Sequence, residues 1–178
     1  MNYKTFLTAS TLFALGAGMS GVYWIARISQ IVGEKNFGFA VGISIIVQSF
    51  TSLIVGKYAV KQLKTLVYAQ VLFTILTALV ASQVSFYAVF VIEAAFGIAI
   101  AIQILCSSVL IAEITEKEKL GKRYGFFYSL QSIAVGISMV AGSFIALLLT
   151  VNWIFLIGAA FTLCSTILLS FELTSSTR

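Results

Sequence analysis

Six long, mostly apolar runs separated by short polar breaks leave this chain few ways to fold. They cover residues 6–32, 38–56, 65–81, 86–112, 124–149 and 153–171. A helix needs about 20 mostly apolar residues to cross the hydrocarbon core of a bilayer. With 60% hydrophobic and 10% charged residues, a chain of this size could not hide its apolar surface from water, so its solvent is lipid. The expected fold is all-α: one six-helix transmembrane domain over residues 1–178. The first run is long for a bilayer and would have to tilt or protrude. Leu7 to Leu15, followed by small residues, has the outline of a signal peptide. Only Lys4 precedes it, however, and the apolar run continues to Val32, which points to a spanning helix that is kept.

What is missing narrows the chemistry. There is no histidine, aspartate or proline, so metal sites and imidazole catalysis have almost no raw material. The two cysteines, Cys106 and Cys164, lie in different apolar runs with no metal or redox spacing, and are expected to pack as small hydrophobes. No metal, cofactor or enzymatic activity is expected. The net charge of +5 could suggest nucleic acid, but lysines held on one side of a bilayer, against anionic headgroups, account for it better.

Charge sets the orientation. Gly56 to Lys64 is a short basic interruption between the second and third runs, with Lys57, Lys61 and Lys64 and no acid among them. Short loops rich in Lys and Arg stay on the cytoplasmic side. With both termini also inside, every base except Arg27 and Lys35 falls on the inner side. The expected location is the cell (inner) membrane, multi-pass, with cytoplasmic termini. Phe86, Tyr87 and Trp153 at the outer side, and Tyr124, Phe126, Phe127 and Tyr128 at the inner side, occupy interface-belt positions.

Lipid supplies no hydrophobic push between helices, so small residues mark the faces that touch. The fifth run carries Ala134, Ser138, Gly142 and Ala146; the first carries Ser10, Ala14 and Gly18, with Ala17 and Gly21 beside them. Gly38 and Gly42 in the second and Gly97 and Ala101 in the fourth are shorter versions. These four helices are expected to be the closely packed ones.

Taken in order, these features resemble the amino-terminal half of a major facilitator superfamily transporter, over nearly the whole chain. The family's loop between helices two and three has the pattern Gly-x-x-x-Asp-Arg/Lys-x-Gly-Arg/Lys-Arg/Lys. Gly56, Lys61 and Lys64 stand where its first glycine and two of its bases fall, while Val60 and Leu63 replace its aspartate and second glycine. Glu113 closing helix four, Lys122-Arg123 opening helix five and the glycines of Gly136 to Gly142 also resemble the family. Glu93-Ala94-Ala95-Phe96-Gly97 falls where the family often has Arg-x-x-x-Gly, with the charge reversed. The resemblance implies a six-helix bundle with nested inverted three-helix repeats. It also implies a small solute moved by alternating access, in some members coupled to protons. One bundle cannot rock against itself, so the implied partner is a parallel second copy or a separate carboxy-terminal half. The alternative is a non-transporting accessory or truncated membrane subunit.

Two charged side chains lie within apolar runs, Arg27 and Glu93, both about 8–10 Å below the outer boundary at 1.5 Å per residue. Helices one and four both line the cavity of the resembled fold, so Arg27 and Glu93 are expected to pair or to share a polar pocket. Their role is either a substrate or proton site, because desolvation disfavours a bare charge, or a fixed ion pair that orients helices. Gln48, Gln103 and Gln131 either contact solute or, the favoured reading, hydrogen-bond between helices. Tyr23 and Trp24 face either a cavity or lipid. Glu113 is expected to pair with Arg123, or with a lysine of the two–three loop, as a clamp at the inner side. Glu116 to Lys119 is expected to be a solvated loop.

Overall fold

A computed structural model describes residues 2–57 and 62–175. Six helices cover them: α1 (Tyr3–Val32), α2 (Glu34–Lys57), α3 (Gln62–Val80), α4 (Phe86–Glu113), α5 (Leu120–Leu148) and α6 (Val151–Ser175), with one 3₁₀ turn at Lys117–Lys119. Among the described residues there is no strand, and all six helices are long and apolar enough to cross a membrane. Lys61 and Val60, in the loop motif, lie outside the described residues.

The helices outrun their apolar stretches because hydropathy marks the membrane slab, not the end of the hydrogen-bond ladder. Glu, Lys and Gln are good helix formers, so α2 starts at Glu34 and α5 at Leu120, four residues earlier than expected in each case. The expected break at residues 33–36 shrinks to Gly33, whose φ of 75° favours a residue without a Cβ. Ser85 caps α4 by accepting a hydrogen bond from the Ala88 amide at 3.4 Å.

Helix α1 is the central post and packs along α5 and α6; α4 packs along α2 and α3, and α3 meets α6. Exchanging α1, α2 and α3 with α4, α5 and α6 leaves this pattern unchanged: α1–α5 becomes α4–α2, and α1–α6 becomes α4–α3. Three crossings end on the side opposite to where they began, so the second triplet is inserted upside down relative to the first. The packing is therefore that of nested inverted repeats. One apolar cluster, with Phe6, Leu66, Leu110, Phe127 and Leu169, gathers the two termini and the start of α3 at one end. Phe6 and Phe127 stack there at 5.6 Å. Lys57, Lys64, Lys122 and Arg123 belong to the same end.

Small residues hold the helices close, though not always those expected. A Cβ on Gly16 would lie 2.5 Å from the Gly158 carbonyl oxygen of α6, and one on Gly97 the same distance from the Ser44 carbonyl oxygen of α2. Gly18 meets Ser138, and Gly142 meets Tyr23 and Met19, so the small-residue stripes of α1 and α5 face each other. Gly38 and Gly42 face open space; α2 approaches α4 through its Ser44 backbone instead. Helix α6, with Gly158 at the crossing, is the close partner of α1 that small-residue counting passed over.

Candidate functional site

Helix α1 presents two stripes. Phe13, Ala17, Gly21, Trp24 and Ile28, spaced at three and four residues, line a cavity of about 420 Å³. Gly16, Ser20, Tyr23 and Arg27 follow the neighbouring stripe toward α5 and α6. The cavity is lined further by Phe73 of α3, by Glu93, Phe96 and Gln103 of α4, by Ser44 of α2 and by Gln131 of α5. Phe13, Phe73, Phe96 and Trp24 make a continuous aromatic wall, with successive ring centroids 4.9, 5.1 and 6.3 Å apart.

Glu93 is 5% exposed and points into this cavity. The Trp24 indole Nε1 donates to its Oε1 at 2.5 Å, and the Ser44 side chain is a second hydrogen-bond neighbour. Both partners are neutral. Trp24 is thereby placed in the cavity rather than toward lipid.

Arg27 does not pair with Glu93, which corrects the expectation drawn from their matching depth. Its guanidinium donates to Asn152 Oδ1 of α6 at 2.9 Å and to the Ser82 carbonyl beyond the end of α3 at 2.8 Å. It also lies 5.7 Å from the centre of the Phe155 ring. Depth along α1 follows from counting residues, whereas the direction a side chain takes follows from how α1 packs on α6. Arg27 thus ties α1, α3 and α6 at the end opposite Lys57, Lys64, Lys122 and Arg123, where a cation meets the carbonyl-rich end of α3.

The glutamines divide. Gln103 borders the cavity and accepts from Gln70 Nε2 at 3.2 Å; Gln70 Oε1 accepts from Ser165 Oγ at 2.9 Å, and Ser165 lies 2.7 Å from the Ala9 carbonyl oxygen. This buried relay joins α4, α3, α6 and α1, with Gln103 hydrogen-bonded between helices while it borders the cavity. Gln131 lines the cavity, while Gln48 is half-buried beside Gly97 and does not line it. Gln70 was not singled out from the sequence. Its signal was there: one amide in an apolar run, matched by Gly158, Thr162, Ser165 and Thr166 along one side of α6. Thr74 meets Thr162 at 2.9 Å in the same seam.

The clamp between Glu113 and Arg123 does not form. Arg123 lies 3.9 Å over the Tyr3 ring, Glu113 is exposed, and the ion pair among the described residues joins Lys119 to Glu116 on the surface. The 3₁₀ turn after α4 carries Arg123 toward α1 rather than back to Glu113. In the loop motif, Gly56 faces open space and Lys64 Nζ lies 5.7 Å from the Tyr68 ring centre.

The aromatic cavity, with its one carboxylate, thus lies between α1 and α4 where the two inverted triplets meet. No curated protein and no solved structure matches the chain. The sequence profile of the Major Facilitator Superfamily matches residues 4–178. With the profile covering nearly its full length and the helices packed as that architecture requires, the chain belongs to the major facilitator superfamily, a family of membrane transporters.

Proposed function

We propose that this chain is one half of a secondary transporter that moves a small solute by alternating access, together with a second six-helix bundle. The observation that carries the reading is the bareness of α2 and α5. These helices contribute Ser44, Ile45 and Gln131 to the cavity, yet α2 buries only Ala40 fully, and α5 only Phe127, Ala134, Ser138 and Gly142. Phe39, Phe50, Leu53, Ile137, Val140 and Phe144 are exposed on them. A second bundle seated on α2 and α5 would close the cavity and could rock about it. The second bundle is a parallel copy of the chain or a separate carboxy-terminal half. In this reading the lysine-bearing end faces the cytoplasm, which the excess of bases there supports.

Glu93 is the group through which transport would couple to protons, since it is the one carboxylate lining the cavity and its hydrogen-bond partners are neutral. The purified chain in liposomes, given a solute panel and an interior pH dye, tests the reading. Uptake by the chain alone supports the homodimer, and uptake only with an added carboxy-terminal bundle supports a split transporter. No uptake in either arrangement returns the chain to an accessory role. Glu93→Gln removes the pH dependence of uptake if the carboxylate carries the proton.

A further inference from the structure

The cavity also limits what it can hold. Among the residues lining it, Glu93 is the single formal charge. Arg27, the one base embedded in the same region of α1, is engaged with Asn152 and Ser82 instead. The carboxylate is met by an indole N–H and a serine side chain, which hydrogen-bond it without neutralising it. The remaining surface is aliphatic and aromatic, with the rings of Phe13, Phe73, Phe96 and Trp24 in sequence. Gln103 is already engaged with Gln70 and Ser107, which leaves Gln131 and Ser44 as the remaining uncharged polar groups.

Each solute class meets this lining differently. An anion would face a buried carboxylate with no cation to offset it. A polyhydroxylated solute would leave most of its hydroxyls buried without hydrogen-bond partners. A cation with an apolar body meets a carboxylate, ring faces that attract positive charge, and apolar walls for the rest of its surface. We infer that the cavity binds a monovalent organic cation with an aromatic or aliphatic body, its charge held by Glu93 and the adjoining rings. The inference rests on the reading of this cavity as the solute site, and names the class of solute.

Binding tests it apart from transport. Of the two tryptophans, Trp24 lies in the cavity and Trp153 is exposed at the start of α6, so Trp153→Phe leaves a single cavity reporter. In detergent, tetraphenylphosphonium should quench Trp24 saturably, and at least about tenfold more tightly than neutral triphenylphosphine oxide, a difference of about 1.4 kcal/mol. Glu93→Gln should remove that preference while leaving the neutral compound's affinity within about twofold. Equal affinities for the two compounds in the Trp153→Phe protein would overturn the inference without need of the Glu93 variant. An unchanged preference in a folded Glu93→Gln protein would also overturn it. Cation binding without liposome uptake leaves the inference standing and removes the transport reading; uptake of a neutral solute with no cation binding does the reverse.

Discussion

Trp24 and Glu93 decide the character of the cavity. Each was visible in the sequence, but their partnership was not. The indole donates the one short hydrogen bond that a buried carboxylate receives from α1, so Trp24→Phe keeps the ring and removes the donor. Leaving a buried acceptor short of a partner costs about 1–3 kcal/mol. A circular-dichroism melt in detergent should therefore show Trp24→Phe clearly destabilised. The same substitution made on Glu93→Gln should cost less, because the acceptor is then uncharged. Equal losses in both backgrounds would mean that the ring, not the N–H, carries the effect. Arg27 is the contrasting case. Its donors go to Asn152 and Ser82, so Arg27→Ala should lower thermal stability by about 1–2 kcal/mol and leave cation binding at Glu93 in place. Loss of that binding with the fold intact would place Arg27 back in the cavity.

At the level of helices, closeness of approach rather than hydrophobicity decides which faces meet. Gly97 lets the α2 backbone lie against α4, and a Cβ there would lie 2.5 Å from a carbonyl oxygen, which only a shift of α2 could relieve. Gly97→Ala should therefore destabilise the bundle by about 1–3 kcal/mol through overpacking. Gly136 in α5 has open space around its Cβ position, so Gly136→Ala in the isolated bundle should be stabilising by about 0.5–1 kcal/mol through helix propensity. Thermal melts of the two variants side by side check the contrast; matching losses would mean that α5 is covered at Gly136. The sequence exposed part of this logic. The ladder of Ala134, Ser138 and Gly142 marked a closely packed face on α5, because four-residue spacing keeps small side chains on one face, but not that α1 would be its partner. It gave no warning that Gly38 and Gly42 would face away from the bundle. A glycine's value as a contact depends on where the neighbouring axis passes, and that is a property of the assembled helices.

On the scale of the whole molecule, the bundle is lopsided. Helices α1, α3, α4 and α6 bury residues along their length, whereas α2 and α5, on either side of the cavity, leave large apolar side chains uncovered. Single cysteines at Phe50 or Ile137, on the bare helices, should cross-link to a second bundle in native membranes once exposed Cys164 is replaced by serine. A cysteine at Tyr68, exposed on α3, should not. Cross-linking from Tyr68 alone would put the partner on the wrong side and undo the two-bundle arrangement proposed above.

Six crossings, the solvent around them and the end at which the lysines gather were all legible in the sequence. They follow from transfer free energies and charge, which add up residue by residue along the chain. The rotation of each helix about its axis was not legible. It set Arg27 against α6 and Glu93 against Trp24, joined Gln70 to Gln103 and Ser165, and left α2 and α5 bare. Rotation is decided by how the backbones close on one another at Gly16, Gly97 and Gly158, and no single helix contains that information.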